Sequence, residues 1–375
     1  MKNKIAILLG TRPEAIKLIP IYLELKKSDD FTPVLISTGQ HAQMLEQIFS
    51  FFEITPDIEL KVMSEGQTLS LLTSILFDRL EVVFKENEFL YAIVQGDTTT
   101  AFVAAVSAFY HNVKVVHVEA GLRTYDKHSP FPEEINRQMI SKIVDIHFTP
   151  TSKATKNLYK ENITNRIYEV GNPVIDSLLL ADEKINKDVI VYESRFKTLI
   201  DEEKKIVLVT GHRRESFGVG LEEICNALIY IAEYYDDVQI IYPVHMNPNV
   251  NKVVYEKLGN YQNIKLIDPL PYDDLIFIMT KSWLIMTDSG GIQEEAPSLN
   301  IPVIVMRDKT EREEGVENGC AVLSGTDSKV ILKQFHMIYQ SQDVYANMAN
   351  ALNPYGNGTA SQQIVKYLLI HKDCI

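Results

Sequence analysis

Short apolar, β-branched runs alternate with longer stretches of helical periodicity along the whole chain. Runs at 5–9, 33–37, 91–94, 113–118, 146–148 and 167–170 predict six strands in the first half, and runs at 206–209, 238–242, 264–267, 284–286, 303–306 and 321–323 predict six in the second. Runs apolar at every position are what strands covered by helices on both faces require. The pattern therefore predicts an α/β protein with two parallel, doubly wound sheets of about six strands each. Residues 177–205 are rich in charge, show no strand pattern and read as helical connecting material. This sets a Rossmann-like domain over 1–171 and a second over 172–358, with an amphipathic helix at 359–369 after the glycine- and asparagine-rich turn at 353–358. The most apolar stretch, 101–116, is interrupted by Ser107, His111, Asn112 and Lys114, so it reads as a buried helix and a strand, not a membrane span.

At 375 residues the chain has room for two full cores. The net charge of −13, with no dense basic stripe, argues against nucleic acid or an anionic membrane surface as the main partner. An anionic ligand would need a local cationic pocket. The three cysteines, Cys225, Cys320 and Cys374, are far apart and odd in number, so neither a disulfide framework nor a zinc site is expected. The N-terminus enters a strand with no leader pattern, and the expected location is cytoplasmic.

The chemistry collects at the strand ends. After the first strand comes Gly10-Thr11-Arg12-Pro13-Glu14-Ala15-Ile16-Lys17, a glycine turn into a helix with proline near its first position. Arg12 and Lys17 then lie at the carboxyl edge of the sheet beside a helix N-terminus, where a phosphate would be at home. Later strands lead into Gln95-Gly96-Asp97-Thr98, into His117-Val118-Glu119 with Arg123 four residues on, into Thr210-Gly211-His212-Arg213-Arg214-Glu215, into His245, and into Asp288-Ser289-Gly290-Gly291-Ile292-Gln293-Glu294-Glu295. A lone strand-end aspartate is usually a helix cap, but so many polar ends on one rim exceed what capping needs. Ser289, Gly290 and Gly291 suit a diphosphate because no Cβ blocks their N–H groups, and Glu295, a turn further on, suits a ribose diol. Asp97, Glu119 and Glu133 have no obvious partner and form a candidate acid/base set. The plainer alternatives are helix-terminus charge for Glu133 and Glu134, pairing with Arg123 for Glu119, and a divalent metal on Asp97 and Glu119, which no DxD-type pair supports. His212 beside two arginines is a candidate diphosphate contact. Arg312 lies in a mixed-charge run, 307–313, of the kind that usually forms a solvated loop.

Taken in order, these segments resemble the non-hydrolysing UDP-N-acetylglucosamine 2-epimerase family over nearly the whole chain. The resemblance implies a GT-B-like fold: two Rossmann-like domains with the active site in the cleft, the second binding UDP, and a C-terminal helix (359–375) that packs back on the first. It implies anti elimination of UDP to give 2-acetamidoglucal, re-addition with inversion at C2, and no metal or nicotinamide cofactor. By the match, Asp97, Glu119, Glu133 and His212 would be catalytic, and Arg12, Lys17, Arg137, Ser289, Gly290, Gly291, Glu295 and Arg312 would bind substrate. Gln40, His41, Gln43, Glu134, Arg213 and His245 are similar to an activating second UDP-sugar site of some members. Effector-regulated members carry an arginine where this chain has Gly66, ahead of Gln67-Thr68-Leu69, which sets it apart from their pattern. A homodimer and a role in supplying precursors of bacterial surface polysaccharide are implied as well. The rival readings are a GT-B glycosyltransferase, a hydrolysing epimerase, a silent UDP-sugar sensor, and an epimerase of a modified UDP-sugar. The intact carboxylate trio favours a self-contained reaction on one sugar nucleotide.

Overall fold

Ile5, Ala6, Ile7, Leu8 and Leu9 are fully buried and make up most of β1 (Asn3–Leu9), an interior strand of a parallel sheet. Only a strand with helices on both faces hides consecutive side chains in this way. The computed structural model describes residues 2–64, 66–211 and 218–372. The chain divides into unit 1, Met1–Leu180 with Tyr355–Ile375, and unit 2, Ala181–Pro354.

Unit 1 continues with α1 (Arg12–Lys26), β2 (Phe31–Ser37), α2 (Ala42–Phe52), β3 (Ile58–Glu59), α3 (Leu69–Glu86), β4 (Tyr91–Gln95), α4 (Thr99–Tyr110), β5 (Lys114–Val118), α5 (Glu133–Ile143), β6 (Ile146–Thr149), α6 (Ser152–Lys160), β7 (Ile167–Glu169) and the start of α7 (Pro173–Lys187). Its seven strands are all parallel, in the order β3-β2-β1-β4-β5-β6-β7. Where six strands were expected there are seven, because β3 is two residues paired to Ile36 and Ser37, too short to show a period.

Unit 2 holds α8 (Val189–Phe196), β8 (Lys205–Thr210), α9 (Val219–Tyr234), β9 (Val238–Pro243), α10 (Pro248–Leu258), β10 (Ile264–Ile267), α11 (Tyr272–Thr280), β11 (Leu284–Thr287), α12 (Gly290–Glu295), β12 (Val303–Val305), α13 (Glu313–Glu317), β13 (Ala321–Leu323), α14 (Ser328–Gln340) and α15 (Gln342–Ala349). Its six strands run in the order β10-β9-β8-β11-β12-β13, again all parallel. The strandless charged stretch folds as the rest of α7 and α8. The expected boundary at 171–173 falls at the head of α7, the helix in which unit 1 gives way to unit 2.

The last helix, α16 (Ala360–His371), belongs to unit 1 and packs on α1. Asp176 accepts the N–H groups of Ala360 and Ser361 at 3.3 and 2.8 Å, and Tyr168 stacks on Tyr367 at 3.9 Å. Burial pushes the Asp176 carboxyl up, and those N–H bonds pull against it. Cys225 and Cys320 are buried thiols pushed up to about 11 by burial, and Cys374 lies outside the described residues. Among the described residues no helix is long and apolar enough to cross a membrane.

Each sheet reverses its winding once: between β1 and β4 in unit 1, and between β8 and β11 in unit 2. Crevices open at such switch points, beyond the carboxyl ends of the strands. Gly10 and Gly96-Asp97-Thr98 follow the first pair of strands, and Gly211 and Asp288-Ser289-Gly290 follow the second. The motifs found in the sequence are thus the ones that topology delivers to the two crevices.

Candidate active site

In unit 1 the turn after β1 is closed by its own helix. Gly10 has no room for a side chain, since a Cβ would come within 2.3 Å of Thr38 Oγ1 and 2.5 Å of Thr100 Oγ1. The buried Glu14 carboxylate accepts the N–H of Gly10 at 2.9 Å, the N–H of Thr11 at 2.7 Å and the Thr11 hydroxyl at 2.8 Å. Thr98 donates to its other oxygen at 2.6 Å. Burial raises the Glu14 carboxyl, and these four donors hold it back. The N–H groups expected to face a phosphate are therefore engaged by a carboxylate of the protein. Arg12 opens α1 half-buried. Lys17 is buried against Glu119, with Nζ 2.6 and 2.8 Å from its two oxygens.

Glu119 follows β5 with φ +62°, in the left-handed region that a side-chain-bearing residue rarely adopts. This turns its carboxylate onto Lys17, onto the amide of Gln95 and onto the amide of Asn172, whose Nδ2 lies 2.9 Å from Oε1. Arg123, the partner that its spacing suggests, reaches away instead and grips Glu161 through two nitrogens at 2.6 and 3.0 Å. Asp97 is not partnerless either: Arg137 donates to its Oδ2 from Nε and Nη2, both at 2.7 Å. Asn136 holds its main-chain oxygen at 2.8 Å. The two carboxylates weighed as metal ligands thus each carry a cation of the protein.

Glu133 and Glu134 are the first two residues of α5, yet their surroundings differ. Glu134 is fully buried and accepts the N–H groups of Thr124 and Tyr125 at 2.9 and 3.1 Å, with Gln138 and Arg137 on the same carboxylate. Burial pushes it up, but those donors prevail and bring it below the usual carboxylate range. Glu133 is half-buried, and among the described residues nothing hydrogen-bonds or pairs with its carboxylate. His117 Nε2 donates to Gly96 O, 2.7 Å away, and burial pulls its imidazole down to about 4. It is neutral near pH 7, and with the proton on Nε2 it tethers the Gly96–Asp97 turn.

In unit 2, Asp288 is buried and its N–H bonds Thr210 O at 3.1 Å. Ser289 stands at the N-cap of α12, but its side chain makes no capping bond, so capping does not explain it. Its N–H is held by Thr287 Oγ1 at 2.9 Å. A Cβ on Gly290 would come within 3.2 Å of the Arg312 guanidinium, which places that cation against the start of α12. Glu294 holds Arg312 Nε at 2.8 Å, and Thr310 Oγ1 reaches Gln293 Oε1 at 2.7 Å. The mixed-charge run 307–313 is therefore not a solvated loop. It is latched onto α12, with Arg307 and Thr310 buried and Arg307 paired to Glu311 at 2.9 Å. Burial works against the Glu311 charge, but Arg307 wins and holds its carboxyl down at about 2. Gly291 and the buried Glu295 complete this turn.

Of the remaining sequence candidates, Gln40 accepts the Thr100 hydroxyl at 3.2 Å, and His41 and Gln43 are exposed at the start of α2. His245 is exposed in unit 2 and accepts the Asn247 N–H at 3.1 Å. His212 and Arg213 lie outside the described residues. Asn172, Gln95, Asn136 and Glu14 were not singled out from the sequence. For Glu14 the signal was present, as Thr11-Arg12-Pro13-Glu14 is a capping box.

Two Rossmann-like, doubly wound units of this kind, one with cation-paired carboxylates at its switch point and the other with a glycine turn beside an arginine, define a GT-B-like α/β protein. The fold alone is shared with the sucrose-phosphate synthase of Thermosynechococcus elongatus, at TM-score 0.67 and 9% identity over the whole of both chains. A family model for UDP-N-acetylglucosamine 2-epimerase matches residues 23–369, and the chain belongs to that family, an enzyme of the isomerase type. The UDP-N-acetylglucosamine 2-epimerase of Campylobacter jejuni is 46% identical over all of this chain and 99% of its own length. The crystal structure of UDP-GlcNAc 2-epimerase from Neisseria meningitidis bound to UDP-GlcNAc superposes with TM-score 0.92 at 41% identity, covering 98% of this chain and 100% of that one.

Proposed function

We propose that the protein interconverts UDP-N-acetylglucosamine and UDP-N-acetylmannosamine without hydrolysis. UDP leaves by anti elimination to give 2-acetamidoglucal, then returns to C1 as a proton is delivered to the opposite face of C2. The C2 proton is not acidic by itself. It becomes removable as the C1–O bond stretches and positive charge grows at the anomeric carbon, so the leaving diphosphate must be stabilised and carboxylates must stand near C2.

The observation that carries this reading is the unlike setting of three carboxylates in unit 1. Glu119 is held by a cation and two amides, which favours its ionised form and makes it a poor base. Its fixed negative charge suits the cationic anomeric centre. Asp97, on Arg137, and the unpaired Glu133 are left to exchange the C2 proton, one for each face as inversion demands. Unit 2 supplies the turn Ser289-Gly290-Gly291 with Arg312 for the diphosphate and Glu295 for the ribose, joined by His212, with Arg12 adding charge from unit 1. Lys17 acts by keeping Glu119 ionised. Gln40, His41, Gln43, Glu134, Arg213 and His245 would form an activating site, of which the buried Glu134 serves as internal support. A homodimer in the cytoplasm supplying precursors of surface polysaccharide completes the reading.

The test is incubation of the purified protein with UDP-N-acetylglucosamine alone in deuterated water, followed by proton NMR. UDP-N-acetylmannosamine carrying deuterium at C2 is expected. Free N-acetylmannosamine with UDP would move the protein to the hydrolysing reaction, and absence of exchange would overturn the proposal.

A further inference from the structure

Asn172 stands immediately before α7 and is almost completely buried. Its side chain uses both ends. Nδ2 donates to Glu119 Oε1 at 2.9 Å, and Oδ1 accepts the N–H of Val174 in the first turn of α7 at 3.1 Å. Its main-chain N–H donates to Tyr355 O at 2.6 Å. Tyr355 is the first residue of the returning segment of unit 1, and Asn172 leads into the helix by which the chain leaves it. Departure and return therefore meet at one residue, and that residue holds Glu119.

The crossing is tight by construction. Gly171 and Gly356 have φ of +86° and +127° and pack back to back. A Cβ on Gly171 would come within 3.1 Å of Gly356 Cα, and one on Gly356 within 3.6 Å of Asn172 N. Buried Tyr355 packs with Val174 and Ile175 against Ile16, and Ser177 donates to Ile16 O. Ile16 precedes Lys17, so the same joint braces both members of the Lys17–Glu119 pair. A left-handed backbone at Glu119 persists only where several contacts fix it, and Asn172 supplies one of them.

We propose that Asn172 is a positioning residue for the reaction: through its amide it holds the Glu119 carboxylate at the joint where the chain leaves and re-enters unit 1. This rests on the part assigned to Glu119 under Proposed function. The residue must donate and accept at once. Aspartate offers acceptors only, and serine keeps an acceptor for Val174 without the reach to Glu119. Among the described residues, the groups that face Glu119 include Lys17 from α1, Gln95 from β4 and, two residues back on β5, the neutral His117, with Asp97 beyond β4 already on Arg137.

The experiment compares wild type, Asn172→Ser and Asn172→Asp. Serine removes a donor to the carboxylate, and aspartate sets a second carboxylate against it. The acid limb of the kcat–pH profile is expected to move to higher pH in the order wild type, serine, aspartate, by about one unit for aspartate. At pH 7 kcat is expected to fall about tenfold in the aspartate variant, with KM for UDP-N-acetylglucosamine within about twofold. In parallel, the Glu119 carboxyl is titrated by carbon-13 NMR without substrate and assigned by its loss in Glu119→Gln. The same ordering there supports the proposal even if wild type fails to epimerise, an outcome that would sink only the functional reading. Folded variants with an unmoved acid limb and an unmoved Glu119 titration would overturn it, as would a loss of kcat that merely follows the folded fraction.

Discussion

A buried charge is tolerated where a partner and hydrogen bonds surround it, and unit 1 meets that condition at Glu119 on Lys17 and at Glu134 on Arg137, with the half-buried Asp97 also on Arg137. His117 takes the other course and stays neutral. Its imidazole falls to about 4 in the folded chain, against an ordinary 6.5, and burial is the cause. Between those values the unfolded chain binds a proton that the folded chain refuses. Stability is thus fully present above about pH 6.5 and is lost as pH falls toward 4, by about 2–3 kcal/mol at pH 4.5. Buried His147, down at about 3, adds a loss of the same sign. Urea unfolding of wild type and His117→Gln at pH 7.5 and 4.5 checks this, since glutamine can keep a donor to Gly96 O without titrating. The variant is expected to lose about 2–3 kcal/mol less on acidification, and an equal loss in both proteins would refute it.

At the scale of elements, the packing of α12 against the 307–313 segment decides where Arg312 points. Gly290 is the residue that lets the guanidinium approach. Gly290→Ala would push a methyl group to 3.2 Å from it, so the cation must shift while the buried strand β11 is untouched. UDP affinity is expected to weaken about tenfold, or about 1.4 kcal/mol, with little change in the unfolding midpoint. Isothermal titration with UDP tests it, and an unchanged Kd would remove Arg312 from the nucleotide site. This segment also shows where the sequence was silent. Its charges read as solvated because nothing local reveals that Glu294 and Gln293, 18 and 17 residues away, are their partners. Likewise Lys17 and Glu119 meet across 102 residues, and no period or spacing foretells it. The strands and their polar ends were legible, because burial on both faces and a glycine at the turn are local properties. The two-residue β3 was not, since it borrows its conformation from β2.

For the whole molecule, the division of labour predicts a spatial pattern. Hydrogen exchange with saturating UDP is expected to slow amides at 288–295 and 307–312 in unit 2 and to leave the Gly10–Thr11 turn of unit 1 unchanged, because those N–H groups already bond Glu14. Protection at that turn, with none at 288–295, would reverse the assignment.

The same Glu14 contact breaks a symmetry. Both sheets reverse their winding after the first strand of the unit, yet in unit 1 the Gly10–Thr11 turn spends its N–H groups on a side chain of its own helix. A phosphate reaching that turn would find its donors already taken, so the most familiar anion cradle of such folds is in unit 1 filled from within.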